Sequence, residues 1–364
     1  MTKDLYCIIM AGGVGSRFWP MSRQSMPKQF IDVLGTGQSL IQLTYERFLN
    51  ICDNDRFLAV TSEDYRSLVE SHLPAINPEQ ILTEPIRRNT APCIAYAAYK
   101  LRAVNEKAVM VVTPADHIVT RQREFDSTLK LAVEHAANTG RLVTVGIKPT
   151  RPDTGYGYIQ FHREDTYGHE QLRAVKTFTE KPDLDLAIQF LQSGDFYWNS
   201  GMFIWRVDAI IQALEKHLPD TARLFEEEAE NFNTPREAEA VKRIYAGCQT
   251  ISIDYGVMEQ ADNVDVVLGD FGWSDLGTWG ALYEQLKEQT HAENITLGGI
   301  VRTYDSAENI VKIPKDKLAV IQGLTNYIVI DTGDVLLICQ RDEEQKIKQF
   351  VNDLKSSKEL ARFL

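Results

Sequence analysis

The sequence predicts an α/β protein with an open, mostly parallel, Rossmann-like sheet, followed by a smaller β-rich segment. Three observations carry this reading. Short apolar runs alternate with helix-patterned segments through most of the chain, as in sheets covered by helices. The first run, Leu5 to Met10, is apolar and partly β-branched, like a strand buried on both faces, and it breaks into glycines at Gly12, Gly13 and Gly15. From Glu293 the texture changes. Apolar β runs at 300–301, 318–321, 327–330 and 335–338 follow one another between polar turns, with no helix until Gln345 to Leu354. The predicted division is a catalytic domain over 1–290 and a C-terminal domain over 291–364.

Composition narrows the function classes. The 364 residues are 44% hydrophobic and 25% charged, ample for a large core. A formal net charge of −12 argues against non-specific nucleic-acid binding, and it makes local basic clusters informative. The five cysteines (Cys7, Cys52, Cys93, Cys248, Cys339) are dispersed, with no C-x-x-C pair and so no zinc framework. No stretch approaches the ~20 apolar residues of a membrane span, and no leader pattern opens the chain. These features predict a cytoplasmic enzyme or binding protein, with no nucleic-acid or membrane partner.

Taken in order, the glycine loop after Leu5–Met10 comes first. Glycines let main-chain N–H groups approach an anion, and Arg17 and Lys28 follow, the lysine behind a proline. Backbone donors with two cations suit a triphosphate. The P-loop pattern is not met, since no Lys follows a glycine at its spacing. The dinucleotide pattern counted from Gly13 would need glycine where Phe18 stands. On the loop alone, a tight turn with solvated cations fits as well.

Ser39 to Phe48 has a helical pattern, Phe57 to Thr61 reads as a strand and Asp64 to Leu73 as a helix stopped by Pro74. Gln80 to Thr83 is a short strand leading into Glu84-Pro-Ile-Arg-Arg-Asn-Thr-Ala-Pro92. Ala91 to Val104 is an alanine-rich helix that Asn89 or Thr90 would cap. Arg87, Arg88, Asn89 and Thr90 put donors at a helix N-terminus, which favours anions, although a capped surface turn would look similar. Val109 to Thr113 is a buried strand ending in Pro114-Ala115-Asp116-His117. Asp116 thus falls at a strand's carboxyl end, where ligands gather in open α/β sheets, or is a turn residue.

Phe125 to Ala137 is an amphipathic helix closed by Thr139-Gly140, and Leu142 to Gly146 is a strand. Gly155-Tyr-Gly157-Tyr fits a hairpin or bulge. Glu180-Lys181 follows a β run; a carboxylate can accept from two hydroxyls and a lysine can pair with phosphate. Asn199 adjoins a Ser-Gly pair among core aromatics. Ala209 to Tyr245 reads as charged and helical, with Glu226 to Glu230 a solvated face rather than a metal cluster. Asp254 lies in Ser252-Ile-Asp-Tyr-Gly-Val-Met-Glu259. Asp275 lies between small residues at a turn into a helix, where the bland reading is an N-cap.

Six separated strings, in order over nearly the whole chain, resemble the sugar nucleotidyltransferases, and most closely their guanylyltransferase members. They are A-G-G-x-G-x-R with W-P-x-S-R and P-K-Q-F, E-P-x-x-R-N-T-A-P, P-A-D-H, F-x-E-K-P after Y-G-Y, W-N-S-G-M-F, and G-W-S-D-x-G-T-W. S-I-D-Y-x-V-M-E at 252–259 is similar as well, a resemblance which implies that Asp254 braces the active site. The resemblance implies a nucleotidyltransferase, GT-A-like sheet with a partly β-helical C-terminal domain. It also implies transfer of GMP from GTP to α-D-mannose 1-phosphate, giving GDP-mannose and pyrophosphate. On this reading Ala11, Gly12, Gly13, Gly15, Ser16 and Arg17 wrap the nucleotide phosphates. Glu84, Arg88, Asn89, Thr90 and Ala115 complete the nucleotide site. Gly157, Glu180, Lys181 and Asn199 bind the sugar phosphate. Asp116 and Asp275 hold magnesium (Mg2+), and Arg17, Lys28 and Lys181 offset charge during transfer. A homodimer is implied too. Longer relatives add an isomerase domain for which this chain leaves no room, so no isomerase activity is expected. Three rivals remain at this level: a transferase with another base or sugar phosphate, a non-catalytic GDP-mannose-binding homologue, and a metal-dependent glycosyltransferase. The last normally presents D-x-D, whereas P-A-D-H offers one aspartate.

Overall fold

A computed structural model describes residues 4–164 and 167–364. In chain order the strands are β1 (Leu5–Met10), β2 (Phe57–Ser62), β3 (Ile81–Glu84), β4 (Val109–Pro114), β5 (Ile118–Val119), β6 (Leu142–Ile147), β7 (Tyr158–Phe161) and β8 (Leu172–Thr179). They continue with β9 (Phe196–Arg206), β10 (Val264–Gly269), β11 (Trp273–Ser274), β12 (Ile295–Tyr304), β13 (Ile310–Gln322), β14 (Tyr327–Asp331) and β15 (Leu336–Gln340). The α-helices are α1 (Leu40–Phe48), α2 (Arg66–His72), α3 (Thr90–Arg102), α4 (Gln122–Thr139) and α5 (Leu184–Ser193). After them come α6 (Val207–His217), α7 (Pro219–Glu227), α8 (Glu237–Gly247), α9 (Trp279–Thr290) and α10 (Ile347–Lys355). The chain forms two compact units. The first comprises the segment ending at Gly12, Tyr45–Ala115 and Val119–Trp273; the second comprises Gly13–Thr44, Asp116–Ile118 and Ser274–Leu364. The sequence boundary at 290/291 therefore runs inside the second unit.

The first unit is built on a nine-stranded sheet in the order β3-β2-β1-β4-β9-β6-β10-β8-β7. β3, β2, β1 and β4 are mutually parallel, as are β6 and β10. The long β9 runs antiparallel between β4 and β6. Local pattern cannot show that insertion, because a strand buried on both faces reads the same in either direction. β1 and β2 are buried almost throughout, and α3 lies on them with Ala95, Ala97 and Ala98 fully buried. Methyl side chains let a helix sit close to a sheet at crystal-like packing density. Parallel pairing brings the carboxyl ends of β1 to β4 to one edge, with Met10 beside Val60 and Pro114, and Ser62 beside Glu84. That edge carries the predicted nucleotide residues of this unit.

The charged stretch 209–245, read as helical, is divided among three α-helices. Pro219 opens α7, where its missing N–H costs nothing, and turns separate α7 from α8. Its acidic run is taken up by arginines: Glu226 pairs with Arg102 and Glu228 with Arg243. On β10 the buried Asp265 accepts from Arg141 Nε at 2.6 Å, Arg141 Nη2 at 2.9 Å and Tyr167 at 3.1 Å, and bonds His135 Nε2 at 2.6 Å. A buried carboxylate is tolerable when each lone pair is answered in this way.

In the second unit β12, β13 and β14 are parallel coils of a short solenoid, closed by β15 running antiparallel to β14. Each coil turns on an asparagine. Asn309, with no exposed surface, donates to Asn294 Oδ1 at 2.9 Å and to the Leu324 carbonyl at 2.8 Å, and accepts from Tyr327 N at 2.9 Å. Ile310, Ile328, Ile330 and Leu337 point inward onto Trp279 and Tyr283 of α9 and Ile347 of α10. The recurring Asn-Ile pairs at 294–295 and 309–310 are the sequence mark of these coils.

Candidate functional site

In the second unit the glycine loop, Lys28, Asp116 and Asp275 come together. Gly15 has φ +71°, and a Cβ there would lie 2.6 Å from Lys28 Cβ, so the loop closes on the lysine only because the residue is glycine. Gln29 Nε2 donates to the Gly13 carbonyl at 2.9 Å and Lys28 N donates to Val14 at 3.2 Å, which ties P-K-Q-F to the loop. The loop runs into a 3-10 turn, Ser16–Phe18, that carries Arg17. Arg17 Nε is buried and has no protein partner among the described residues. Such a donor costs free energy unless an acceptor arrives, and a phosphate oxygen supplies one.

Lys28 is 3% exposed and connects the two aspartates. Its Nζ lies 2.9 Å from Asp116 Oδ2 and donates to the Asp275 main-chain carbonyl at 2.7 Å. Burial would raise the Asp116 carboxyl, but the Lys28 ammonium and His117 more than offset this and hold it below the usual carboxylate range. The Asp275 carboxylate accepts from Gly277 N at 2.9 Å through Oδ1. The donor set suits a hard divalent cation: one carboxylate paired with the Lys28 ammonium, and a second carried by a residue whose main chain the same ammonium holds, with oxygen donors only. Magnesium takes one or two carboxylates and fills its remaining positions with water and phosphate oxygens. No cluster of three or more His, Cys, Asp or Glu suited to a metal occurs among the described residues.

In the first unit Ala11, Gly12, Glu84, Ala115 and α3 share the carboxyl edge of the sheet. Ala11 N donates to Val60 at 2.8 Å, and Ala115 N to Met10 at 3.1 Å. Glu84 is 5% exposed, accepts from the Tyr245 hydroxyl at 3.0 Å and lies against Gly12. Burial pushes its carboxyl up to about 7, against the pull of Tyr245 and Arg87. Asn89, at φ 68°, caps α3 and accepts from Thr90 N at 2.8 Å. Thr90 and Arg88 both turn to the 245–253 segment. Thr90 Oγ1 accepts from Ile253 N at 2.9 Å, while Arg88 donates to the Tyr245 carbonyl at 3.2 Å and to Thr250 at 3.3 Å.

The same unit gathers the predicted sugar residues. Gly157 lies against the Glu180 carboxylate, which is paired with Lys181. Asn199 donates to Asp254 Oδ1 at 2.7 Å and accepts from Gly201 N at 3.1 Å. Burial raises the Asp254 carboxyl, opposed by Asn199 and reinforced by the charge of Glu180. Asp254 is thus the partner of Asn199, a role its sequence context left open.

Two signature residues serve the C-terminal segment. Trp19 Nε1 donates to the Phe363 carbonyl at 2.9 Å, and Arg23 donates to Asp334 at 2.7 Å and to Thr332 at 3.0 Å. The W-P-x-S-R string is therefore also a bracket for residues more than 300 positions away. No local signal names such a partner.

Comparison with known proteins agrees with this geometry. The nucleotidyl transferase family model matches residues 6–292, and a MannoseP isomerase/GMP-like beta-helix domain model matches residues 300–354. An Escherichia coli mannose-1-phosphate guanylyltransferase is 36% identical over 363 residues, covering 97% of this chain and 76% of that protein. The Pseudomonas putida alginate biosynthesis protein AlgA is 38% identical, covering 95% of this chain and 71% of that protein. A crystal structure from Thermus thermophilus, described as a mannose-1-phosphate geranyltransferase, superposes with a TM-score of 0.87 at 30% identity, covering 97% of this chain and 99% of that one. With its fold, its glycine loop and these matches, the chain belongs to the nucleotidyl transferase family, and its C-terminal segment matches a MannoseP isomerase/GMP-like beta-helix domain.

Proposed function

We propose that the protein transfers GMP from GTP to α-D-mannose 1-phosphate, forming GDP-mannose and releasing pyrophosphate. The observation that carries this reading is Lys28, whose ammonium contacts Asp116 and Asp275 beside a glycine loop with an unanswered arginine N–H. The names of the relatives point to the same substrates.

The chemistry follows from charge. An oxygen of the sugar phosphate attacks the α-phosphorus of GTP, the bond to the β-phosphate oxygen breaks, and pyrophosphate leaves in line. Two anions must meet, so the site's task is to offset repulsion and align the groups. The N–H groups of Gly12, Gly13 and Gly15 and the Arg17 guanidinium hold the phosphates, and Lys28 keeps Asp116 ionised and Asp275 in place. Magnesium held by Asp116 and Asp275 would neutralise charge on the phosphate oxygens. Glu84, with Asn89 and Thr90 at the α3 N-terminus, reads the base. Glu180 and Asn199 accept from and donate to sugar hydroxyls, and Lys181 pairs with the sugar phosphate. No covalent intermediate is required.

Further proposals concern context. The free cysteines are all buried, which suits a reducing cytoplasm. No helix among the described residues is long and apolar enough to cross a membrane. A homodimer is supported by the apolar stripe of Ile300, Tyr304, Leu318 and Val320, each more than half exposed on β12 and β13. We retain 1–290 and 291–364 as the inherited domains; the first family match ends at 292 and the second begins at 300.

The test is pyrophosphate release with magnesium, using GTP and mannose 1-phosphate beside ATP, dTTP and glucose 1-phosphate. Release that needs both GTP and mannose 1-phosphate is expected. Faster release with another pair would change the substrates, and none with any pair would end the catalytic reading.

A further inference from the structure

The 3-10 helix Arg341–Lys346 brings part of the C-terminal segment to the candidate site. Asp275 stands four residues before α9, and the turn between them is tightly held. Leu276 is at φ +43°, its N–H donates to Ser274 Oγ at 3.2 Å, and Gly277 N donates to the Asp275 carboxylate. Thr278 is the N-cap of α9 and accepts from Ala281 N at 3.2 Å. Another donor of the first turn, Gly280 N, is answered from outside the helix by Glu344 Oε2 at 2.7 Å. The fit is close. A Cβ on residue 280 would lie 2.9 Å and 3.0 Å from the two Glu344 carboxylate oxygens. The Thr278 side chain hydrogen-bonds the same carboxylate, and the Arg17 charge acts on it.

The 3-10 helix is itself anchored to α9. The Arg341 guanidinium lies over the Tyr283 ring at 3.8 Å and donates to Glu284 at 2.9 Å, and Arg341 Nε donates to Asn326 at 2.7 Å. At its start α9 also meets the signature loop. Trp279 packs on Phe18 with ring centroids 4.7 Å apart and donates to the Trp19 carbonyl at 3.3 Å. Moving the first turn of α9 would therefore move Asp275 on one side and the Arg17 turn on the other.

We propose that Glu344 is a positioning residue: by accepting from Gly280 N and the Thr278 side chain it fixes the first turn of α9, and through it the Asp275 carboxylate and Arg17. This gives the solenoid segment a part in catalysis without touching substrate. Burial raises the Glu344 carboxyl above its usual range, which agrees with a role as a hydrogen-bond acceptor more than as a charge. The inference rests on the transfer reading above.

The experiment compares wild type, Glu344→Ala and Glu344→Gln, with Gly280→Ala as a second way to displace the carboxylate. It measures kcat and KM for GTP, the melting temperature, and the affinity for manganese, read by paramagnetic resonance in the presence of GTP without sugar phosphate. Outer-shell partners of metal ligands are worth roughly 10- to 100-fold. Glu344→Ala and Gly280→Ala are expected to lower kcat and weaken manganese binding by that factor, with the GTP KM within about twofold. Glu344→Gln keeps the acceptor and should recover most of both. Wild-type kcat and manganese affinity in Glu344→Ala would overturn the proposal, as would a Gln variant as impaired as Ala. If Glu344→Ala lacks a cooperative melt, the Gln and Gly280→Ala pair decides in the same way. No turnover by wild type would instead count against the transfer reading, and the manganese comparison would still test Glu344.

Discussion

The Lys28 ammonium lies 2.9 Å from the Asp116 carboxylate and donates at 2.7 Å to the main chain of Asp275, 247 positions further on. One buried cation thus fixes the protonation state of one predicted metal ligand and the backbone of the other. Replacing Lys28 with Met should leave the fold standing but remove the ammonium that, on the proposed reading, offsets developing phosphate charge. Such losses cost on the order of 10²–10³ in kcat. Steady-state kinetics beside a thermal melt would check this. A variant within threefold of wild type would take Lys28 out of the chemistry.

Glu84 makes a pH prediction whose sign is fixed by its environment. Its carboxyl rises from an ordinary 4.5 to about 7 in the folded protein, chiefly by burial. A raised folded value means stability that is fully present below pH 4.5 and is lost as pH climbs through about 7. Above that pH the buried ionised group weakens the fold by on the order of 3 kcal/mol. Glu84→Gln should therefore melt increasingly above wild type as pH rises from 5 to 8. Parallel melting curves across that range would refute the assignment.

Gly157 tests the sugar side alone. A Cβ there would stand 2.5 Å from Glu180 Oε2, so Gly157→Ala must push that carboxylate aside. The KM for mannose 1-phosphate should rise by roughly tenfold or more, the worth of one lost charged hydrogen bond, while the KM for GTP stays near wild type. Equal changes in both would show that the glycine serves the whole fold.

Asp265 provides the structural contrast. It is fully buried and answers Arg141, His135 and Tyr167 at once. Asp265→Asn removes the charge but keeps the shape, which should destabilise the first unit by about 3 kcal/mol. Activity per folded molecule should be unchanged at a temperature where the variant is folded. Chemical denaturation with a matched rate assay distinguishes this from a catalytic role.

The strands and helices that the sequence announced were those decided locally. Leu5–Met10 is a strand over the residues its apolar run predicts, and Asn89 is the cap of α3. Pattern could not show that β9 enters the sheet antiparallel, nor that 209–245 breaks into three helices, because neighbours in space decide both. The site divides in the same way. Residue types and spacing pointed to Arg17 and Lys28, whereas Asp116 and Asp275 were named only by the resemblance of their strings. Their meeting on one ammonium, the pairing of Asn199 with Asp254, and the reach of Glu344 to Gly280 all depend on chain segments distant in sequence. The asparagine coils at 294 and 309 were legible as a repeat of Asn-Ile, a signal that strand-by-strand reading passes over.

The most direct test of the central claim follows the α-phosphorus. GTP labelled at that position is incubated with mannose 1-phosphate and magnesium, and label and pyrophosphate are counted together. Label is expected in GDP-mannose, with one pyrophosphate formed per labelled product, and loss of both in Asp275→Asn. Label recovered as GDP, or sugar transferred to an acceptor without pyrophosphate, would contradict it.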